Sequence, residues 1–412
     1  MQSKKNKQFV VSAAPYQANS IAQRHAEICA ETESFAETVV KPHVDAIRRI
    51  GGLPDEIISE LGAKKWFGLL IPREYGGRGM DCLARILNVQ YVTRICPDVG
   101  AVLQIGQLGT GGIIEFGSTE QKNKWLPLLA TGERLCTIAI TEELSGSHIL
   151  GMSTTYEEKN GGYILNGEKW FIGNCPISNL HVVYAREKTG KRLSAFIVEG
   201  ERPGVDNTMR HRTIGLRAFP FGRLKLTDVE VPRENMLGAP GQGQSIAHRI
   251  ISHHGRPSLT ALALGIHHRI YDVAFSYAGY RELYGKSINA LPDIRTKIFE
   301  IYQRFEMCRQ VAYEAAHLDS TGGKSYRALA LAKYVNGERV FESAMIATDV
   351  FGARAGLPEY EAGQLLLDAM MTRPPSGTGD VQRHRVMEHL IDDKVPSWES
   401  DGPEAGGFAQ VG

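Results

Sequence analysis

Two short stretches of this 412-residue chain place chemically capable side chains beside residues that leave room around them. In Ser252-His253-His254-Gly255-Arg256-Pro257, His254 titrates near neutrality and is a candidate base, with an ordinary helix-face histidine as the equal alternative. Arg256 is a candidate electrostatic anchor for a carboxylate, an enolate or an oxygen species. Pro257 cannot donate to the carbonyl of His253, and Gly255 lacks a side chain, so room and an unsatisfied carbonyl are expected there for a ligand or water. In Pro374-Pro375-Ser376-Gly377-Thr378-Gly379-Asp380, Ser376 stands in a glycine-rich turn and cannot act unaided as a general base.

The elements that must position these residues follow from apolar spacing. From about Ser20 to Leu135 apolar residues recur at helical intervals, as in Ile28, Phe35, Val39 and Val40, then Leu61, Phe67, Leu69 and Leu70. Pro72 to Gly79 interrupts them as a helix connector. From about Thr137 to Gly238 short runs such as His181-Val182-Val183-Tyr184-Ala185 and Ala195-Phe196-Ile197-Val198 alternate with Asn-Gly and Pro-Gly turns, which predicts a small β-domain. Helical spacing returns from Ser245 to about Leu390, with Ile250, Leu262, Ile266, Ile270 and Val273 on one stripe and Ile294, Ile298, Ile301 and Phe305 on another. The expectation is an α+β chain: a helical region over residues 1–136, a β-domain over 137–244, a helical bundle over 245–391, and a poorly ordered tail over 392–412. Gly238-Ala239-Pro240-Gly241-Gln242-Gly243 lacks dinucleotide-loop spacing and strand-to-helix context, so it reads as a connector.

Composition narrows the partner. Forty-seven basic and forty-six acidic residues leave a net charge of +1, with no basic face for nucleic acid; a small molecule, free or protein-tethered, is the expected partner. Six scattered cysteines without a C-x-x-C pair fit reduced core thiols rather than a zinc site, so no metal is expected. No apolar run reaches the length of about 18 residues that spans a bilayer, and no signal-peptide core is present, so a soluble cytoplasmic protein is expected.

Several spaced segments together resemble the acyl-CoA dehydrogenase family, over about Phe35 to Glu388. Ile138-Ala139-Ile140-Thr141-Glu142-Glu143-Leu144-Ser145-Gly146-Ser147 is similar to the family's flavin-binding turn, where backbone N–H groups and hydroxyls hold the ring edge and pyrophosphate. Trp170-Phe171-Ile172-Gly173-Asn174 resembles the strand in which an aromatic ring, here Phe171, stacks near the isoalloxazine; Gly173 takes the place of a threonine whose hydroxyl approaches flavin N5. Val229 to Gly238 matches the exit into the C-terminal bundle, and Arg281-Glu282-Leu283-Tyr284-Gly285 resembles the stretch reaching the FAD pyrophosphate of a neighbouring subunit. Asp349-Val350-Phe351-Gly352 sits at the family's Gln-x-x-Gly-Gly, and its spacing to Ser376 equals the usual distance to the catalytic glutamate.

The resemblance thus implies an N-terminal helical domain, a middle small β-barrel domain, a C-terminal four-helix bundle, bound FAD and a homotetramer or homodimer. It places Ile138, Ile140, Thr141, Gly146, Ser147, Phe171, Gly173, Arg281, Tyr284, Asp349, Gly352, Thr378 and Asp380 at the cofactor, and Ser376, His254, Arg256 and Gly255 at the chemistry. Thr378 and Asp380 fall at the ribose and adenosine. Ser376 replaces the usual base, and Gly255 fills the alternative glutamate position of other members. Pro292 and Asp349 replace glutamines, and Phe219 replaces a small residue after Gly215-Leu216-Arg217; Asp349 would repel a pyrophosphate.

An atypical branch without the glutamate is therefore expected, similar to the family's oxygenases and epoxyketone synthases. Its reaction would be monooxygenation or oxidative decarboxylation of an acyl or β-keto acid substrate, free or carried on CoA or a carrier protein, in a biosynthetic role. The alternatives are ordinary α,β-dehydrogenation through His254 or a Ser376-held water, and a degenerate flavin- or partner-binding protein.

Overall fold

The computed structural model describes residues 23–391, so the expected tail and the lysine-rich start lie outside the described residues. Six helices build the N-terminal layer: α1 (Gln23–Phe35), α2 (Val44–Ile50), α3 (Asp55–Ala63), α4 (Cys82–Ile95), α5 (Pro97–Phe116) and α6 (Thr119–Ala130). Their starts are written in local chemistry. Asp81 accepts the N–H of Ala84 to cap α4, Pro97 opens α5, and Ser118 with Gln121 forms a reciprocal capping box on α6. Helices α4 and α5 are buried along most of their length, because other elements cover them on several sides.

Eight strands follow as one sheet: β1 (Cys136–Ala139), β2 (Thr155–Lys159), β3 (Gly162–Gly173), β4 (Leu180–Glu187), β5 (Leu193–Glu199), β6 (Val205–Asp206), β7 (Phe221–Pro232) and β8 (Met236–Leu237). The order is β6-β7-β3-β2-β4-β5-β8, with β1 parallel to β4. Strands β4 and β5 are buried on both faces, as their unbroken apolar runs require. Val182, Tyr184, Ala195 and Ile197 pack with α5 and α6, while Val183, Ala185, Phe196 and Val198 share a second core with Leu165, Leu224 and Val229 of β3 and β7. The sheet thus folds over itself. The end strands β6 and β8 do not pair with each other, so side chains rather than a closed ladder of backbone bonds complete this small barrel domain.

The chain then forms α7 (Gly243–Ile250), a π-helical segment (Ile251–Gly255), α8 (Arg256–Tyr280), a hairpin of β9 (Glu282–Leu283) and β10 (Lys286–Ser287), α9 (Pro292–Ser320), α10 (Tyr326–Phe351), α11 (Glu361–Met371) and α12 (Gly379–Ile391). The connector before α7 behaves as expected, and Pro292 opens α9 where a missing N–H costs nothing. Ile250, Leu262, Ile266 and Ile270 are buried, as are Ile301 and Phe305. Ala261 and Leu264 of α8 join the core of Leu87, Val92 and Phe67, so the two helical layers share one interior. All six cysteines are free, five of them buried. Among the described residues no helix is long and apolar enough to cross a membrane, and no cluster of His, Cys, Asp and Glu suits a metal.

Candidate active site

Helix α5 is the spine of the site. A side-chain carbon at Gly111 would strike the His254 ring at 2.6 Å, and one at Gly173 would strike Ile105 at 2.9 Å. Six residues of α5 separate those contacts, about 9 Å along the axis. Gly255 adjoins His254, and a side-chain carbon there would meet Ser376 Oγ at 2.6 Å. The two positions that the resemblance assigns to alternative glutamates therefore address one point in space, and neither carries a carboxylate.

The π-helical segment is where Pro257 leaves its mark. The expected vacancy at the His253 carbonyl does not exist. The Arg85 guanidinium, fully buried on α4, donates to the carbonyls of His253 at 3.4 Å and His254 at 3.2 Å, and to His254 Nδ1 at 2.8 Å. Arginine can only donate, so His254 Nδ1 accepts and its Nε2–H donates to Glu115 Oε1 at 2.5 Å. Burial depresses the basicity of His254, with the Arg85 charge adding to it and Glu115 opposing. Its one lone pair is thus engaged, and the ring faces α5 and the arginine. This geometry gives His254 a place in the scaffold rather than the posture of a free base. The chain of bonds continues: Arg249 donates to Glu115 Oε2 at 2.7 Å and to His253 Nε2 at 2.9 Å, and His253 Nδ1–H donates to Asp319 at 2.7 Å.

Ser376 sits at φ +56° in the turn before α12. Its carbonyl accepts from Gln382 Nε2 at 2.8 Å, and Lys333 Nζ donates to the carbonyls of Arg373 at 2.5 Å and Gly377 at 2.7 Å. Burial, with the Arg256 and Arg373 charges, lowers Lys333 to about 8 against the opposing pull of Glu338. Arg256 is buried with its guanidinium 4.4 Å from the Tyr326 ring centre, and its Nη2 donates to the Tyr326 hydroxyl at 3.3 Å. His248 is lowered to about 3 by burial and, beyond that, by the Arg385 and Arg256 charges.

On the β-sheet side, Ile138 and Ile140 flank the end of β1 and Thr141 begins a turn closed between Glu142 and Ser145. Glu142 pins that turn. Its carboxylate accepts from Ser153 N and Oγ, both at 2.6 Å, from Thr154 N at 2.9 Å and from the fully buried Lys169 at 2.8 Å. Gly146 and Ser147 are exposed, and nothing lies within 4 Å of the Gly146 side-chain direction, so the turn presents open N–H groups and hydroxyls. Phe171 is 49% exposed at φ +60° and continues an aromatic row through His211 and Phe221 to Phe219. An open polar turn beside an exposed aromatic face suits a planar ring carrying a pyrophosphate, so these residues fit FAD.

The remaining expected cofactor residues lie elsewhere. Arg281, Tyr284, Asp349 and Gly352 gather at the far end of α8 and α10, about 37 Å along α8 from Arg256. Tyr284 is 94% exposed, and the Arg281 guanidinium has no hydrogen bond or ion pair with a described residue. Asp349 pairs with Lys297 at 3.5 Å, which offsets the repulsion expected of it. Thr378 Oγ1 accepts the N–H of Val381 in the first turn of α12, and the exposed Asp380 pairs with Arg383. One chain therefore does not bring all of these side chains to a single cofactor.

Sequence reasoning missed Arg85, Glu115, Lys169, Lys333, Asp98 and Asp368. The signal available was a charge inside an apolar run, as in Cys82-Leu83-Ala84-Arg85-Ile86-Leu87 or Leu365-Leu366-Leu367-Asp368-Ala369.

Asp368 and Asp98 are both buried against the loop before β7. Burial and the neighbouring Asp98 charge raise Asp368 to about 7 from the ordinary 3.8. The folded chain thus holds a proton that the unfolded chain has lost, and stability falls as pH rises from about 4 to 7. Asp368→Asn keeps the acceptor for Leu216 N–H without this titration. The variant is expected to exceed the wild type in stability by about 1–3 kcal/mol at pH 8, the gap closing near pH 4, in thermal unfolding across that range.

The sequence matches the acyl-CoA dehydrogenase N-terminal domain over residues 22–133, its middle domain over 137–229 and its C-terminal domain over 241–391. It is 32% identical over 361 residues to an acyl-CoA dehydrogenase of Bacillus subtilis, covering 87% of this chain and 95% of that one. The fold superposes on butyryl-CoA dehydrogenase from Megasphaera elsdenii with a TM-score of 0.87 at 28% identity, covering 90% and 99% of the two chains. The FAD complex of PigA superposes with a TM-score of 0.85 at 26% identity, covering 90% and 98%. With all three family domains matched along the chain and the fold superposing on these proteins, the chain belongs to the acyl-CoA dehydrogenase family and is an FAD-binding oxidoreductase.

Proposed function

We propose that this chain represents an atypical branch of the family, one that oxidises an acyl or β-keto acid substrate, free or held as a thioester, without a protein carboxylate as base. The observation that carries the reading is that Ser376 Oγ lies 2.6 Å from where a side-chain carbon at Gly255 would stand, so either glutamate would enter the same space, with Arg256 and Lys333 nearby. Arg256 and Lys333 favour substrates that bring or develop negative charge.

A β-keto acid meets that condition. It loses CO2 and leaves its bonding pair as an enolate, so no proton need be abstracted. Bound FAD would supply the two-electron oxidation and pass the electrons to oxygen, which leaves as hydrogen peroxide or gives one atom to product and the other to water; for an enone to form, the β-keto acid must carry an α-alkyl group, whose hydrogen next to the enolate leaves as hydride. Arg256 would hold the carboxylate and then the enolate oxygen, and Ser376 Oγ would donate to the same oxygen. The cofactor-binding residues that lie about 37 Å away on the same chain favour a homodimer or homotetramer in which a neighbour completes the cofactor site.

Dehydrogenation remains a second reading because the Bacillus subtilis relative bears that name. Oxygen separates the two. The chemically reduced protein is expected to reoxidise rapidly on mixing with oxygenated buffer, and a panel of carboxyl-labelled β-keto acids to release labelled CO2. Ser376→Glu is expected to slow that reoxidation and gain anaerobic desaturation of saturated thioesters. Wild-type desaturation at the rate of the glutamate variant, with sluggish reoxidation and no CO2, would sink the proposal.

A further inference from the structure

Gly173 and Phe219 were two separate departures in the sequence, but they are one arrangement in space. A side-chain carbon at Gly173 would lie 2.8 Å from Cζ of Phe219 and 2.9 Å from Ile105 Cγ1, too close for any side chain to enter while both remain. Phe219 is half-buried, stacks on Phe221 with ring centres 5.9 Å apart, and ends the aromatic row that begins at the exposed face of Phe171.

The loop that carries Phe219 is fastened at almost every residue. Asp98 Oδ1 accepts the N–H groups of Ala218 at 2.8 Å and Phe219 at 3.1 Å, and Asp368 Oδ1 accepts that of Leu216 at 2.7 Å. Leu216 is held at φ +49°, and a side-chain carbon at Gly215 would lie 2.1 Å from the Leu367 carbonyl, so the backbone lies directly on α11. Two buried carboxylates and a strained leucine are a high cost for a surface loop. They are explained if the position of one side chain matters.

We propose that Phe219 is a specificity-determining wall of the reacting face, set by Asp98 and Asp368 so that its ring fills the volume beside Gly173. This rests on the functional reading and on FAD lying against Phe171 and Gly173, as the family resemblance implies. The ring puts an apolar surface at that edge in place of a hydrogen-bonding side chain. It excludes water there, and it selects acyl groups that are apolar or planar next to the reacting carbon over those bearing a hydroxyl at that position.

The test uses Gly173→Thr, Phe219→Ala, the double variant, and Phe219→Leu as a milder cut. Gly173→Thr is expected to weaken FAD binding about tenfold and lower the melting midpoint of both apo and FAD-loaded protein; adding Phe219→Ala is expected to restore part of both, the contact with Ile105 keeping the rest. Phe219→Ala and Phe219→Leu are expected to bind FAD, to show increased iodide quenching of the bound cofactor's fluorescence, and to raise KM for apolar acyl substrates more than they lower kcat. A double variant no better than Gly173→Thr would overturn the shared volume. Unchanged quenching in both Phe219 variants, with wild-type FAD binding intact, would overturn the wall alone. A wild type that takes up no FAD would overturn the wall and the functional reading together.

Discussion

Lys169→Met is expected to destabilise the protein by about 3–5 kcal/mol at pH 7 and to abolish FAD retention on purification, because it strands a buried carboxylate. Lys169 is fully buried in β3, where it donates to Glu142 at 2.8 Å and to the Ile140 carbonyl at 3.0 Å. Burial pushes the Glu142 carboxyl up, but the Lys169 charge and the Ser153 and Thr154 donors outweigh it and hold it at about 2. Burial lowers Lys169 itself to about 8. Glu142 moves down from 4.5 and Lys169 down from 10.5 by similar amounts, so one shift favours the folded state and the other opposes it. The pair as a whole adds little; what costs is removing one member.

The pH dependence follows. Glu142, depressed in the fold, stabilises above its unfolded pKa, and that contribution is lost as pH falls from about 4.5 to 2. The deficit of Lys169→Met is therefore expected to be full above pH 5 and to shrink toward pH 2, where the stranded carboxyl is protonated. Lys169→Met with Glu142→Gln should recover part of the loss, since the amide keeps an acceptor oxygen for Ser153 and Thr154 without a charge. Urea unfolding of the wild type and both variants at pH 7 and pH 3 checks this; a deficit independent of pH would show that lost packing, rather than the stranded charge, is responsible.

The second large effect is expected at Arg85. Arg85→Met removes the donors to His253 O, His254 O and His254 Nδ1 together, so the His253 carbonyl, which Pro257 cannot serve, and a buried ring nitrogen lose the side-chain donor they now share. Each orphaned group costs about 1–3 kcal/mol, so a total of about 3–5 kcal/mol is expected after relaxation. The π-helical segment is also what sets Gly255 and Arg256 against Ser376 and Tyr326. A shift of about 1 Å there is expected to lower kcat about a hundredfold with a smaller change in bound FAD.

The histidine reports the cause. Burial still depresses His254, but losing the Arg85 charge leaves Glu115 to favour the imidazolium, so its pKa rises in the variant. A depressed histidine costs stability as pH falls below its unfolded pKa, and a smaller depression costs less, so Arg85→Met is expected to regain part of its deficit as pH falls from 7 to 5. Thermal unfolding over that range, with Arg85→Lys as an intermediate, measures it. An equal deficit at both pH values would show that His254 does not gain the proton.

Much of the architecture was legible in the chain. The apolar stripes through Leu262, Ile266 and Ile270 and through Ile301 and Phe305 mark bundle cores because a 3.6-residue repeat buries one face. The unbroken runs of β4 and β5 announced strands covered on both sides. Gly173, Phe219, Ser376 and Gly255 could each be recognised as departures, since residue identity at a motif position is a local property.

What the sequence by itself determined, then, was the order of the layers and that Gly255 and Ser376 carry no carboxylate. Only tertiary structure decided that Gly173 and Phe219 share one volume, that Gly255 and Ser376 are neighbours, and that Arg85 rather than a ligand satisfies the carbonyl Pro257 cannot serve. These pairs are separated by 46, 121 and 168 residues along the chain, as the differences 219 − 173, 376 − 255 and 253 − 85 give. Periodicity reports which face of an element is buried; it does not report which side chain of a distant element arrives there, because that depends on how whole layers pack.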